Sequence, residues 1–317
     1  MRTYILKSAL AKLPVIIGVM LLVFFSLHLA PGDPAELLVP PDVSGAAAVQ
    51  AVQNIRHQLG LDQPLPVQFG IYVDRLLHGN LGTSLTNDTP IGPQIAARAP
   101  VTAELAFGAF LLALSLSIPI GILAARRRGR FADGAVMLVA LFGVSMPDFW
   151  VGSMLILLLA VNFHFLPPSG FDGHLTTLKG LENYIMPVVT LTVGSLALLS
   201  RLVRAAMLDV INEDYVRTAR AKGLGERVVI YRHALRNSLL PVVTVLGFRF
   251  AYLLSGAVVV EQVFSIPGMG RFILERINAR DFPAVQSTTL VLALFIVLAN
   301  YATDLCYAWV DPRVRYR

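Results

Sequence analysis

Six long, almost uninterrupted apolar runs decide what this chain can fold into. They lie at approximately Lys12–Ala30, Thr102–Ala125, Gly134–Phe163, Tyr184–Ser200, Leu239–Val260 and Pro283–Val310. A hydrocarbon core about 30 Å thick is crossed by a helix of roughly 20 apolar residues. In lipid the backbone has to satisfy its own hydrogen bonds, which leaves helices or a closed barrel. Runs of this length select an all-α polytopic membrane protein with six transmembrane helices. The third run is long enough to tilt or to include a non-helical end, and the fourth, though short, still spans. Composition agrees: 56% of residues are hydrophobic and 15% charged, against about 25% charged in soluble chains. The first run follows Arg2, Lys7 and Lys12 and resembles a signal sequence. It is longer than a signal h-region, however, and His28-Leu29-Ala30 is not a small-x-small cleavage site, so the sequence predicts an uncleaved first span.

The net charge of +6 would suggest nucleic-acid binding in a soluble protein. Here the arginines fall between apolar runs and read as topology signals, with no nucleic acid implied. With a cytoplasmic N-terminus, the inner segments hold eighteen basic residues, among them Arg126, Arg127, Arg128, Arg130, Arg313, Arg315 and Arg317; the outer segments hold seven. The positive-inside rule therefore predicts both termini in the cytoplasm. Residues 1–30 form a cytoplasmic N-terminus and first span, 31–100 an external segment, and 101–317 a five-helix core. In the external segment Ala51, Val52, Ile55 and Leu59, then Phe69, Val73 and Leu76, fall near helical spacing. Two short amphipathic helices separated by a turn at residues 60–64 are predicted there. The single cysteine, Cys306, excludes an internal disulfide and reads as packing.

The most informative loop runs from Arg201 to Arg236. Asn212 to Lys222 is helix-forming, Gly223-Leu224-Gly225 breaks it, and a second helix follows from Glu226. Gly223 suits the left-handed conformation that ends a helix, and Glu226 suits a helix N-terminus. Val228, Val229 and Tyr231 give the second helix an apolar patch beside Arg232 and Arg236. Such a helix fits a partner's groove, or equally the anionic surface of membrane lipid.

Tyr215-Val216-Arg217-Thr218-Ala219-Arg220-Ala221-Lys222-Gly223, then His233-Ala234-Leu235-Arg236-Asn237 and Leu240-Pro241, resembles the EAA loop of binding-protein-dependent ABC importers, in the branch that carries dipeptides, oligopeptides and nickel. The leading Glu of the broader EAA pattern is absent, as is common in that branch. Further matching segments are Pro31-Gly32-Asp33-Pro34, Leu59-Gly60-Leu61-Asp62-Gln63-Pro64-Leu65, Gly79-Asn80-Leu81-Gly82-Thr83-Ser84, Val260 to Arg271, Ala279-Arg280-Asp281-Phe282-Pro283 and Asp311-Pro312-Arg313. The resemblance implies a type I ABC importer permease fold in the bacterial cytoplasmic (inner) membrane, of the first of two sister permeases. It implies ATPase docking through a loop at 201–238, by Tyr215, Arg217, Thr218, Ala219, Ala221, Lys222, Gly223, Leu224, Gly225, His233 and Arg236. It implies a sister permease, two ATP-binding subunits and a periplasmic solute-binding protein as partners. The last delivers solute to a mouth near Glu261, Phe264, Pro267, Gly268 and Gly270. Dipeptides, longer peptides, nickel chelates, glutathione and haem are the cargoes of such systems.

No lysine follows a glycine, so no phosphate-binding Gly-Lys-Ser/Thr is present. No Gly-x-Ser-x-Gly nucleophile motif appears, and no histidines pair at metal-ligand spacing. The chain reads as non-catalytic, without a metal or cofactor of its own, with ATP and Mg on partner subunits. Two charges stand out inside spans, Asp148 and Arg249, both near mid-membrane. They read as a mutual pair, as a substrate path for a zwitterionic peptide, or as groups met by the sister subunit or water. Glu104 reads as interfacial. A stand-alone secondary transporter or channel is the rival class, but it predicts an inverted repeat and several coupled charges, and only Asp148 and Arg249 are available.

Overall fold

The computed structural model describes residues 2–29, 43–59, 62–175 and 177–310. The segments Pro31-Gly32-Asp33-Pro34, Gly60-Leu61 and Asp311-Pro312-Arg313, with the terminal arginines and the side chains of Cys306 and Trp309, lie outside that description. The elements are α1 (Arg2–Leu29), α2 (Ala46–Leu59), α3 (Leu65–Leu77), α4 (Ile91–Arg126), α5 (Phe131–Ser145), α6 (Asp148–Asn162), α7 (Leu178–Val210), α8 (Asp214–Ala221), α9 (Glu226–Val263), α10 (Met269–Asn278) and α11 (Phe282–Val310). α6 ends in π-helical turns at Ile156–Asn162, and α9 passes through them at Val229–Ala234, after an α-helical start at Glu226–Val228.

Helices α1, α4, α7, α9 and α11 are each long and apolar enough to cross a membrane; α5 and α6 make a sixth span only as a pair, bent by 104°. The sequence expectation of one run from Gly134 to Phe163 is corrected here. Pro147 donates no N–H and biases its predecessor away from helix. Met146 (φ −80, ψ 125) and Pro147 (φ −65, ψ 141) are accordingly extended, and Asp148 opens a new helix. The other spans exceed their apolar cores. The second runs from Ile91 to Arg126 rather than Thr102 to Ala125, and it carries Pro100 and Pro119 inside it. The fourth runs from Leu178 to Val210 rather than Tyr184 to Ser200, because Thr177 caps it by accepting from Gly180 N at 3.1 Å. Arg201 and Arg204 are therefore helical, not part of a loop.

α4 and α7 lie side by side at the centre, α9 packs on both, α5 and α6 flank α7, and α11 flanks α9. α1 stands at the periphery against α11, pinned by Lys12–Asp304 (2.8 Å), by Tyr301 OH donating to Ile5 O (3.1 Å) and by Gln286 donating to Val23 O (3.3 Å). α2 and α3 are the two short helices expected in the external segment. Phe69 and Tyr72 of α3 meet Phe24 of α1 at ring distances of 5.3 and 5.8 Å. Burial of Tyr72 pushes its phenol up to about 12.

At the arginine-rich end of the bundle, Arg204 forks onto Asp133: Nε donates to Oδ1 at 2.5 Å and Nη2 to Oδ2 at 2.8 Å, while Gly129 N donates to Oδ2 at 3.0 Å. This two-pronged contact fixes the Arg127–Arg130 turn to α7. Nothing in the sequence joins two residues 71 positions apart, and the pair was not foreseen.

Small residues allow the central helices to approach. A Cβ on Gly121 of α4 would lie 2.6 Å from Val203 Cβ and 2.8 Å from the Ser200 carbonyl of α7, whereas one on Gly134 of α5 meets nothing within 4 Å. Gly121→Ala is therefore expected to cost roughly 1–3 kcal/mol by overpacking, seen as a lower thermal unfolding temperature of the purified protein. Gly134→Ala is expected to be neutral or slightly stabilising.

Candidate functional site

The loop after α7 is a short helix and a turn clamped onto the bundle. Val216 and Ala219 of α8 and Val229, Ile230 and Ala234 of α9 are buried, packed with Ile122 and Ala125 of α4 and Leu199, Val203 and Met207 of α7. The break between α8 and α9 needs Gly223, whose φ of +77 is unfavourable for residues with a Cβ. Arg220 donates from Nε and Nη2 to Glu226 at 3.1 and 3.0 Å and from Nη1 to Ile211 O at 3.2 Å, closing the turn. The Glu226 bonds push the Arg220 guanidinium above its ordinary value. Asn237 donates to the Tyr215 hydroxyl at 2.8 Å, joining α8 to α9.

What remains outward is a mixed apolar and basic surface. Tyr215, Leu224, Val228 and Tyr231 are exposed, beside exposed Arg217, Lys222, Arg227, Arg232 and Arg236. Thr218, Ala221, Gly223 and Gly225 share it, and His233 is half-buried. Ala219 and Val229, taken from the sequence as parts of the contact region, are instead buried with Val216 and Ile230 in the packing against α4 and α7. The second helix is also not separate: it continues without a break into the transmembrane part of α9.

At the opposite end the segment Glu261 to Gly270 is an internal clasp. Glu261 is fully buried. Its Oε1 accepts from Thr102 Oγ1 of α4 at 2.6 Å, and Oε2 accepts from Arg271 N, in the first turn of α10, at 2.9 Å. Thr102 Oγ1 in turn accepts from Met269 N at 2.9 Å. A carboxylate at a helix N-terminus meets unpaired N–H groups and the positive end of the helix dipole, which offsets the cost of burying it. Gly268 has to be glycine because a Cβ there would occupy the Glu261 carboxylate. A Cβ on Gly270 would lie 2.5 Å from Val258 Cα. Of the residues placed by sequence at an outer mouth, Glu261, Phe264, Gly268 and Gly270 are buried and Pro267 alone is exposed.

A second clasp explains two further motifs. Asp281, also fully buried, accepts from Ser84 Oγ, from Leu85 N (3.2 Å) and from Thr86 Oγ1 (3.2 Å). Arg276 lies 3.6 Å from it and donates to Thr86 Oγ1 at 2.8 Å. The segments Gly79–Ser84 and Ala279–Pro283 thus meet, the turn at Ser84 docking on Asp281. The sequence marked both segments but held no sign that they meet, nor that Thr102 is Glu261's partner. Glu104 is likewise engaged, accepting from Leu175 N at 3.2 Å with His174 Nδ1 at 2.9 Å.

Asp148 and Arg249 are not brought together as an ion pair. Arg249 lies over the Tyr252 ring, 5.3 Å from its centroid. Asp148, in the first turn of α6, has neither ion pair nor hydrogen bond to another described residue, and its Oδ2 lies 3.3 Å from where a Cβ on Gly256 would stand.

A helical bundle of this kind, with five helices long and apolar enough to cross a membrane and a sixth span broken into two, is that of a multi-pass membrane protein. Residues 117–316 match the family "Binding-protein-dependent transport system inner membrane component" and residues 1–106 its N-terminal companion. The chain belongs to this family: it is an ABC importer permease subunit, a multi-pass inner-membrane protein and not a member of an enzyme family. It is 39% identical over 317 residues, the full length of both chains, to the "Glutathione transport system permease protein GsiC" of Salmonella choleraesuis (strain SC-B67). It is 38% identical, again over both full lengths, to the protein of that name in Escherichia coli (strain K12). A solved chain of the MetNI methionine ABC transporter, in an inward-facing conformation, shares the fold: TM-score 0.55 at 18% identity, covering 68% of this chain and 96% of that one.

If the Glu261 clasp holds α10, Glu261→Ala leaves its buried donors unmet, at roughly 1–3 kcal/mol for each group so stranded. Hydrogen exchange of the amides at residues 268–272 is expected to accelerate in Glu261→Ala and in Gly268→Ala, with Glu261→Gln intermediate.

Proposed function

We propose that this permease forms half of a translocation pathway for small peptides, glutathione included, and works as a heterodimer with a sister permease. Two ATP-binding subunits and a periplasmic solute-binding protein complete the machine. Both termini and the loop Tyr215–Arg236 lie in the cytoplasm, as the distribution of arginines favours. ATP and Mg bind on the partner subunits; this chain's part is to convert their closure into a change of access.

One observation carries this reading: the loop's inner face is locked into the bundle while its outer face keeps Tyr215, Leu224, Val228 and Tyr231 among arginines. Aromatic and arginine side chains around an apolar centre suit a protein groove. A lock of this kind lets force on the loop move α4, α7 and α9 together, which is what a bistable bundle driven from outside requires. For the cargo, full-length relatives named for glutathione, itself a tripeptide with one γ-linkage, support a small peptide with free charged ends over a metal chelate or haem.

Proline holds φ near −65° and cannot take the +77° of Gly223. Gly223→Pro, or deletion of Ala221–Gly225, is expected to leave membrane insertion intact while uncoupling ATP hydrolysis from uptake in the reconstituted complex; normal uptake would refute the docking role. For cargo, the complex with its binding protein is expected to accumulate labelled glutathione or a labelled tripeptide in proteoliposomes. Accumulation of a nickel chelate or haem instead would refute the peptide reading.

A further inference from the structure

One face of α9 is left open by the rest of the described residues. Thr244, Phe248, Tyr252, Ser255, Val259 and Gln262 are exposed along it, at steps of three and four residues. Thr244 in this stripe is satisfied by its own helix, donating to Leu240 O at 3.2 Å, but a guanidinium at mid-span is costly against lipid and marks a partner or a water-lined path. Arg249, half-buried, borders this stripe. Its guanidinium rests on the Tyr252 ring, a contact that orients the cation without neutralising it.

Asp148 reaches the same helix. Gly256 offers it no side chain, so the carboxylate comes close to the α9 backbone at the bend between α5 and α6. Residues 249 and 256 are seven apart, two turns, which puts them on the same face of α9 with anchor points about 10 Å apart. The two charges are thus aligned on one face, too far apart to pair, and neither has a counter-ion among the described residues. An extended chain covers at most ~3.3–3.6 Å per residue, so a spacing of this size fits an occupant two or three residues long.

We infer that Asp148 and Arg249 are the two poles of a subsite in the translocation pathway that receives a short zwitterionic peptide, its ammonium on Asp148 and its carboxylate on Arg249. The inference rests on the importer reading with peptide-type cargo given above. Opposite charges at the two ends make the site selective for solutes with both termini free and give the solute one orientation in the pathway. Arg suits the carboxylate because its planar fork pairs two oxygens, and Tyr252 is its positioning residue.

The test uses the assembled complex in proteoliposomes, saturated with binding protein, and two labelled probes, glutathione and its C-terminal glycinamide, with the N-acetyl form as a third for Asp148. For each variant the uptake rate of the acid is divided by that of the amide, which cancels effects common to both. Arg249→Gln is expected to lower this ratio roughly tenfold, the scale of one lost charge-assisted contact, and Arg249→Lys to restore most of it. Asp148→Asn is expected to leave the acid-to-amide ratio alone and to reduce instead the preference for glutathione over its N-acetyl form. If the variants slow both probes equally, the two charges are structural and the inference fails, with the peptide-importer reading intact. If Arg249→Gln releases the sister permease on purification, the charge serves the subunit interface and the inference also fails. If the wild-type complex transports neither glutathione nor a labelled tripeptide, the cargo reading itself falls and takes this inference with it.

Discussion

The burial of Val216, Ala219, Val229, Ile230 and Ala234 against Ile122, Leu199, Val203 and Met207 is the contact on which the rest depends. It turns a surface loop into part of the bundle. α9 then carries the connection onward: from Glu226 to Val263 it is one helix, about 57 Å long at 1.5 Å per residue. It begins at the loop, passes Arg249 and Gly256 in its second half and ends with Glu261 in the clasp. A displacement at the basic end is handed to the opposite end through packed side chains and a single helix, whose ladder lacks only the N–H of Pro241 and a π-helical stretch at Val229–Ala234, rather than through flexible chain.

The buried Glu261 carboxylate gives that helix something firm to act on at its far end. It joins α4, α9 and α10 through Thr102 and the amides that open α10. Asp281 does the same for the segment around Ser84 and the start of α11. Each carboxylate sits where N–H and O–H donors converge, the condition under which a buried charge is tolerated. This end is therefore held by polar clasps, and the basic end by apolar packing together with the Asp133–Arg204 and Arg220–Glu226 pairs. The half-buried charges Asp148 and Arg249 lie between them.

The existence of the spans was legible in the sequence because lipid demands long apolar runs, and Gly223 was legible because a helix break with left-handed backbone favours one residue type. Helix ends were not. Polar turns at Leu178–Asn183 and Arg201–Val210 are as helical as the core, since outside hydrocarbon polarity no longer marks an end. The bend at Met146-Pro147 was marked by its proline, but a proline alone does not separate a kink from a break: Pro119 and Pro187 sit inside continuous helices. Glu261 and Gly268 were legible as motif residues assigned to an outer mouth, but not as residues buried against one another in this chain. A motif records that residues are needed together, not whether they face solvent or one another. Asp133 with Arg204, and Thr102 with Glu261, are long-range pairs that only the fold brings into contact.

The claim that the basic-end loop is the docking element can be tested by site-specific photocross-linking in the purified, transport-active complex. A photoreactive residue in place of Leu224 or Tyr231, on the exposed face of the loop, is predicted to form an adduct with the ATP-binding subunit. The same residue in place of Phe163, outside the loop, is predicted to form none. Adducts from Leu224 and Tyr231 with lipid alone, in a complex that still couples ATP hydrolysis to uptake, would contradict the account.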